Sequence, residues 1–214
     1  IDTRVADDAP AWFFIDIQPD QIDRFMEIAS WTEGISQVAK TPMLRGRVTE
    51  LGGVAAADYD MRNGSAWVLR GDRALTWSAT RPESGELIAG EWWPQDYDGT
   101  PLASMTAEEA NELGVWIGDT VSFNVLGRPV TAEITNIRDV EWESFSINFV
   151  FVLSPGVLDK APHSWMATAH ADDEDAAIRV DRNIAAVFAN ISAISVREAV
   201  HTLSLIHISE PTRL

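Results

Sequence analysis

The same pattern opens and closes this chain, and that repetition limits the folds open to it. Ala11–Gln18 (AWFFIDIQ) is a short aromatic and β-branched run, which predicts a buried strand. Pro19 and Asp20 then start a helix, since proline is tolerated near a helix start and acids favour its first turn. Ile22, Phe25, Met26 and Ala29 recur at i, i+3, i+4 and i+7, so Asp20–Thr32 is amphipathic, and Gly34 stops it. A strand region, Ile35–Leu51, follows and should be interrupted at Pro42. Near the far end Ser164–Ala171 (SWMATAHA) predicts another strand. Asp172–Asp175 (DDED) then puts four negative charges at a helix N-terminus, where the helix dipole favours them. The helix is Ala176–Phe188, with Ile178, Ile184, Val187 and Phe188 on or near one face, and Ile191–Val196 is a closing strand. Two such strand–helix–strand units suggest one lobe, 1–48 with 163–202, split by an insertion, 49–162. The expected class is α+β and two-lobed.

The insertion reads as β-rich. Trp67–Leu69 and Leu75–Thr80 flank Arg70-Gly71-Asp72-Arg73, which suggests a hairpin. Glu86–Trp93 is mixed and ends at Trp92-Trp93-Pro94. Pro101–Met105 is a short strand, and Thr106 caps a helix over Ala107–Leu113, with Glu109 placed to complete a capping box and Gly114 to stop it. Thr120–Leu126 and Pro129–Arg138 form the clearest hairpin: Val121, Phe123 and Val125 alternate with Ser122 and Asn124, and Leu126-Gly127-Arg128 makes the turn. Ser146–Leu153 is a further strand, halted by Ser154-Pro155-Gly156.

Composition removes several functions. With 16 Lys and Arg against 33 Asp and Glu, the net charge is −17, the wrong sign for nucleic acid or for electrostatic docking on an anionic membrane. At 46% hydrophobic the chain can build a core. Having no cysteine removes disulfides, thiolate catalysis and cysteine–zinc sites. Apolar runs such as Ala11–Ile15 and Phe149–Leu153 fall far short of the roughly twenty residues a membrane helix needs. There is no Gly-x-Ser-x-Gly elbow, phosphate loop or dinucleotide fingerprint.

Four clusters remain. Trp92-Trp93-Pro94-Gln95-Asp96-Tyr97-Asp98-Gly99 sets aromatic faces beside carboxylates, as a sugar site would, or anchors a long loop by its tryptophans while the acids face water. Asp58-Tyr59-Asp60 reads as an acidic loop. His163 and His170 lie an odd number of residues apart, so neighbouring positions on one strand would point them to opposite faces. Arg45-Gly46-Arg47 is a basic island that either pairs with acids across a sheet or faces a partner.

In chain order, Phe13–Gln21 (FFIDIQPDQ), Met43–Arg47 (MLRGR), Leu69–Thr76 (LRGDRALT), Ala89–Gly99 (AGEWWPQDYDG), Val115–Arg138 and Asn148–Gly156 (NFVFVLSPG) together resemble the large extracytoplasmic domain of FtsX/MacB-type ABC-transporter permeases, in the subgroup linked to lysophospholipase export or biosynthesis. The resemblance implies a ferredoxin-like, membrane-proximal lobe with the β-rich lobe inserted into it. It implies an inner-membrane protein whose present part lies on the periplasmic side, between transmembrane helices outside this sequence. It also implies ATP hydrolysis on a separate cytoplasmic ATPase subunit, no catalytic residues or cofactor here, and handling of an apolar or lipid-like substrate. Partners would be that ATPase, a second permease copy or a second similar domain, and a periplasmic protein. Trp92, Trp93, Tyr97, Arg45 and Arg47 are the candidate substrate or partner surface. A secreted carbohydrate-binding or glycoside-cleaving domain and a periplasmic protein-interaction module are the other readings. Leu203–Arg213 (LSLIHISEPTR) resembles the in-frame translation of a transposon-based sequencing adapter, so 203–214 is expected to be a non-native tail and the chain a fragment.

Overall fold

A computed structural model describes residues 9–60, 62–83, 85–141 and 147–196. The chain divides into two units, Ile1–Pro42 with Ser164–Leu214, and Met43–His163. Its class is α+β.

The first unit is built from β1 (Trp12–Ile17), α1 (Ile22–Trp31), the opening part of β2 (Ile35–Leu51), β10 (Ser164–Ala171), α3 (Glu174–Val187) and β11 (Ser192–Ser195). Its strands lie in the order β11-β1-β10-β2, and β1 is antiparallel to both neighbours, with Phe14 opposite Ala167 on one side and Ala193 on the other. Phe14, Phe25, Ala29, Val180 and Ile184 are buried together, and the Phe14 and Phe25 rings meet edge to face at 5.0 Å. Fully burying each of the larger side chains, Phe14, Phe25, Val180 and Ile184, stabilises the unit by about 1.5–3 kcal/mol. The Trp12 indole extends this packing, donating to the Ala177 carbonyl at 2.7 Å. Asp173 caps α3, its Oδ1 accepting from the Ala176 amide at 2.7 Å. Gly34 holds a positive φ of 85° after α1, and a Cβ there would stand 2.6 Å from the Ala176 Cβ.

The second unit is a closed barrel. It holds the rest of β2, β3 (Val54–Ala55), β4 (Arg73–Trp77), β5 (Glu86–Gly90), β6 (Leu102–Thr106), α2 (Ala107–Leu113), β7 (Thr120–Val125), β8 (Arg128–Asp139) and β9 (Phe151–Leu153). Following the pairings, β2 meets β4, β4 meets β9, β9 meets β6, β6 meets β8, β8 meets β7, and β7 returns to β2. The β4–β9 and β6–β8 ladders are parallel and the other four antiparallel. Closure removes open edges from the ring, and β5 lies outside it on β8. Leu44, Val48, Leu75, Met105, Phe123, Ile134 and Phe151 fill the interior, as side chains fill any barrel of this size. The β7–β8 turn places Leu126 and Gly127 at φ 51° and 82°, the left-handed pair of a type I′ hairpin.

Three local expectations need correction. Trp67–Leu69 is not a strand: Ala66–Leu69 is a turn of 3-10 helix, with Ala66, Val68 and Leu69 all buried. Consecutive burial is incompatible with the alternation of a half-exposed hairpin, so Arg70–Arg73 is a connection and not a hairpin turn. Pro42 does not interrupt β2, which runs unbroken through it. The proline falls at the boundary of the two units, where β2 passes from β10 to β4 as partner and a missing N–H is tolerated. The capping box at α2 is not made. The Thr106 amide donates to the Val150 carbonyl at 3.1 Å, because Thr106 also ends β6, and its hydroxyl donates to Glu109 Oε2. Of the expected Ser146–Leu153 strand, β9 covers Phe151–Leu153, and Ser146 and the Leu203–Arg213 segment lie outside the described residues.

Candidate functional site

The tryptophan pair comes from the stretch after β5. Gly90 has φ 73°, and a Cβ there would lie 2.2 Å from the Thr135 carbonyl oxygen, so only glycine brings the chain this close to β8. Trp92 and Trp93 then pack against each other with ring centroids 4.1 Å apart and planes tilted by 36°. Both indoles are tied to the segment after β4: Trp92 Nε1 donates to the Ala79 carbonyl at 3.2 Å and Trp93 Nε1 to the Ser78 carbonyl at 2.9 Å. Trp93 is 5% exposed and anchors the loop, while Trp92 is half-buried and offers part of its ring outward. Tyr97 closes the loop on itself, its hydroxyl donating to the Thr100 carbonyl at 2.6 Å. Asp96 and Asp98 are exposed, with no hydrogen bond or ion pair to the described residues.

The other expected residues lie on different elements. Arg45 and Arg47 stand two apart on β2, exposed, while Leu44, Gly46 and Val48 turn inward. Arg47 pairs with Asp72 at 3.8 Å. Asp60 is held below the usual carboxylate range by hydrogen bonds from Arg62, its side chain first. Tyr59 beside it donates to the Leu51 carbonyl at 2.7 Å, and burial, then the Asp119 charge, push its phenol up. His163 precedes β10, with its Nδ1 2.8 Å from the Ala161 carbonyl and its ring edge to face with Trp77 at 4.9 Å. His170 is on β10, far along the strand. Among the described residues no group of three or more His, Asp or Glu is placed to hold a metal.

Sequence reasoning missed Arg138, the most deeply buried charge described. It is 1% exposed on β8, donating from Nε to Ser104 Oγ at 2.6 Å and from Nη2 to the Phe149 and Val150 carbonyls at 2.9 and 3.1 Å. Burial lowers its pKa to about 10, partly offset by the Glu109 carboxylate. Its bonds tie β6, β8 and the segment before β9, so its role is to hold the barrel. Arg70 and Arg73 were missed too: the two fragments RGR and RGDR are distant in sequence and adjacent only through the β2–β4 register.

No family model matches the chain. Over 161 residues, 75% of this chain, it is 30% identical to an uncharacterized ABC transporter permease, YbbP, of Escherichia coli strain K12, and the match spans 19% of that relative's length. A solved domain of a Porphyromonas gingivalis protein described as a permease aligns over 76% of this chain and 75% of its own, at 13% identity and a TM-score of 0.38.

Proposed function

We propose, on the premise that this chain is a relative of ABC transporter permeases, that it forms the extracytoplasmic domain of one and couples ATP-driven motion to the handling of an apolar or lipid-like substrate. The observation that carries this reading is the 30% identity over 161 residues to a permease, joined to the ordered motifs of the sequence. Among the described residues no helix is long and apolar enough to cross a membrane. ATP hydrolysis belongs in this reading to a cytoplasmic ATPase subunit, and the domain itself performs no covalent chemistry. A second permease copy or a second similar domain, with a periplasmic protein, completes the assembly. Trp92 and Tyr97, both half-buried, form one surface for substrate or partner, with Trp93 as its anchor, and the exposed Arg45 and Arg47 form another.

The absence of cysteine from this sequence gives a direct test. Asp98→Cys is placed in the full-length parent, with any other cysteines replaced, and intact spheroplasts are treated with a membrane-impermeant maleimide. The expected result is labelling without permeabilisation and co-purification of an ATPase from detergent extracts. Labelling only after lysis overturns the extracytoplasmic assignment, and a parent that purifies with no ATPase overturns the transporter reading.

A further inference from the structure

The corner of the barrel where β2 meets β4 gathers basic charge in a chain that is otherwise strongly acidic. The antiparallel register sets Arg45 opposite Ala74 and Gly46 opposite Arg73. Arg45 and Arg47 project outward because Gly46 between them must face in, where a Cβ would lie 2.7 Å from Leu75 Cδ1 and 3.1 Å from Val125 Cγ2. Arg73 donates from Nη2 to the Arg70 carbonyl at 2.9 Å and lies over the Trp67 ring, 5.4 Å from its centroid. Arg70 is exposed. The β7–β8 hairpin brings its tip to the same stretch, since Asn124 pairs with Arg47, and there Leu126 is 67% exposed.

Only one acid stands in this group. Asp72 is the counter-charge to Arg47 at 3.8 Å, and Arg45 and Arg70 have no ion-pair partner among the described residues. Burial first, and then the charge of Arg45, depress the pKa of Arg73; Asp72 opposes this and Arg70 adds to it. Like charges are therefore crowded here although 33 carboxylate residues were available to neutralise them. An arriving anion relieves that crowding, whereas a neutral surface does not.

We propose that this corner is a docking site for an acidic segment of a partner protein, with carboxylates taken by Arg45 and Arg70 and an apolar side chain received by Leu126. Guanidinium forks match carboxylates in pairs, and Arg73, half-buried behind them, adds its charge without needing contact. A net charge of −17 sets the rest of the chain against an anionic bilayer, which favours a short protein segment that touches this corner alone. The inference requires only the folded barrel and goes beyond the transport reading.

The test uses the whole chain and a fluorescent peptide probe, Glu-Glu-Leu-Glu-Glu-Leu, followed by anisotropy. We expect saturable binding that weakens as salt rises, and a loss of roughly tenfold or more in the Arg45→Ser/Arg70→Ser double variant. The Arg62→Ser/Arg81→Ser variant makes the same change in net charge elsewhere and should bind like the original chain. Circular dichroism establishes that both variants stay folded. The proposal is overturned if the peptide does not bind, if a peptide with Gln for Glu binds equally, or if the Arg45/Arg70 variant binds undiminished. It is also overturned if phosphatidylglycerol vesicles capture the chain through the same two arginines, or if inorganic phosphate alone occupies them, since the site would then belong to a bilayer or a small anion.

Discussion

Arg138 shows how much a single side chain can carry. Its three hydrogen bonds reach the Ser104 hydroxyl and the Phe149 and Val150 carbonyls inside the barrel, and removing the guanidinium leaves buried polar atoms short of a donor, so removal costs more than the bonds themselves. Arg138→Met should lower unfolding stability by about 3 kcal/mol in urea titrations. Arg138→Lys should recover only part of that, because an ammonium cannot reproduce the planar fork. An Arg138→Met variant as stable as the original chain would remove this account of the barrel's interior. Tyr59 carries a pH signature. Its phenol ionises above the usual value of about 10, because it is buried against Leu51 and faces Asp119. A raised folded pKa means that the folded state keeps its proton after the unfolded chain has begun to lose it. The stability Tyr59 supplies is thus complete below the unfolded pKa and lost as pH rises through the folded one. Absorbance titration of the phenolate band should show a component above the free-tyrosine range that Tyr59→Phe removes, and the variant should lose less stability in alkali.

At the scale of elements, the entry to α3 and the exit from α1 depend on each other. The Asp172 amide donates to the Gly34 carbonyl at 2.8 Å, and the Gly34 Cα faces Ala176 with no room for a methyl. Gly34→Ala combines a left-handed φ with that clash and should cost ~2 kcal/mol. Asp173→Ala, which removes only the cap, should cost ~1 kcal/mol. Thermal melts of the two variants separate the effects, and equal losses would contradict the close approach. These helices were legible because their signals are local: Ile22, Phe25 and Ala29 keep one face, and the acids of Asp172–Asp175 mark a start. Where the sequence misled, a distant partner had decided. Trp67–Leu69 has strand-like composition, yet three of the four residues of its 3-10 turn are packed inside. The Thr106 amide was spent on Val150, 44 residues away, before any capping box could use it. The candidate site was legible in the same uneven way. Trp92, Tyr97, Arg45 and Arg47 stand out as residue types, but nothing near Arg45 in sequence announces Arg73, which strand register brings beside it, or Arg70, whose carbonyl Arg73 holds.

At the scale of the molecule, the ring of six strands gives Met43–His163 its own core and its own closure. A polypeptide of those residues alone should therefore give a cooperative urea transition and dispersed amide resonances, and an excised segment with a collapsed spectrum would show that the barrel cannot stand by itself. The chain enters that unit after Pro42 and leaves it before Ser164, and the strands carrying these two points, β2 and β10, are neighbours in the sheet of the first unit. In genetic terms the barrel is a cassette. One recombination event with both breakpoints at those codons can remove, lengthen or exchange it, and a turn of a few residues between adjacent strands would restore the reading frame of the host domain. Selection can therefore revise what the barrel recognises while the four strands and two helices that received it descend unchanged.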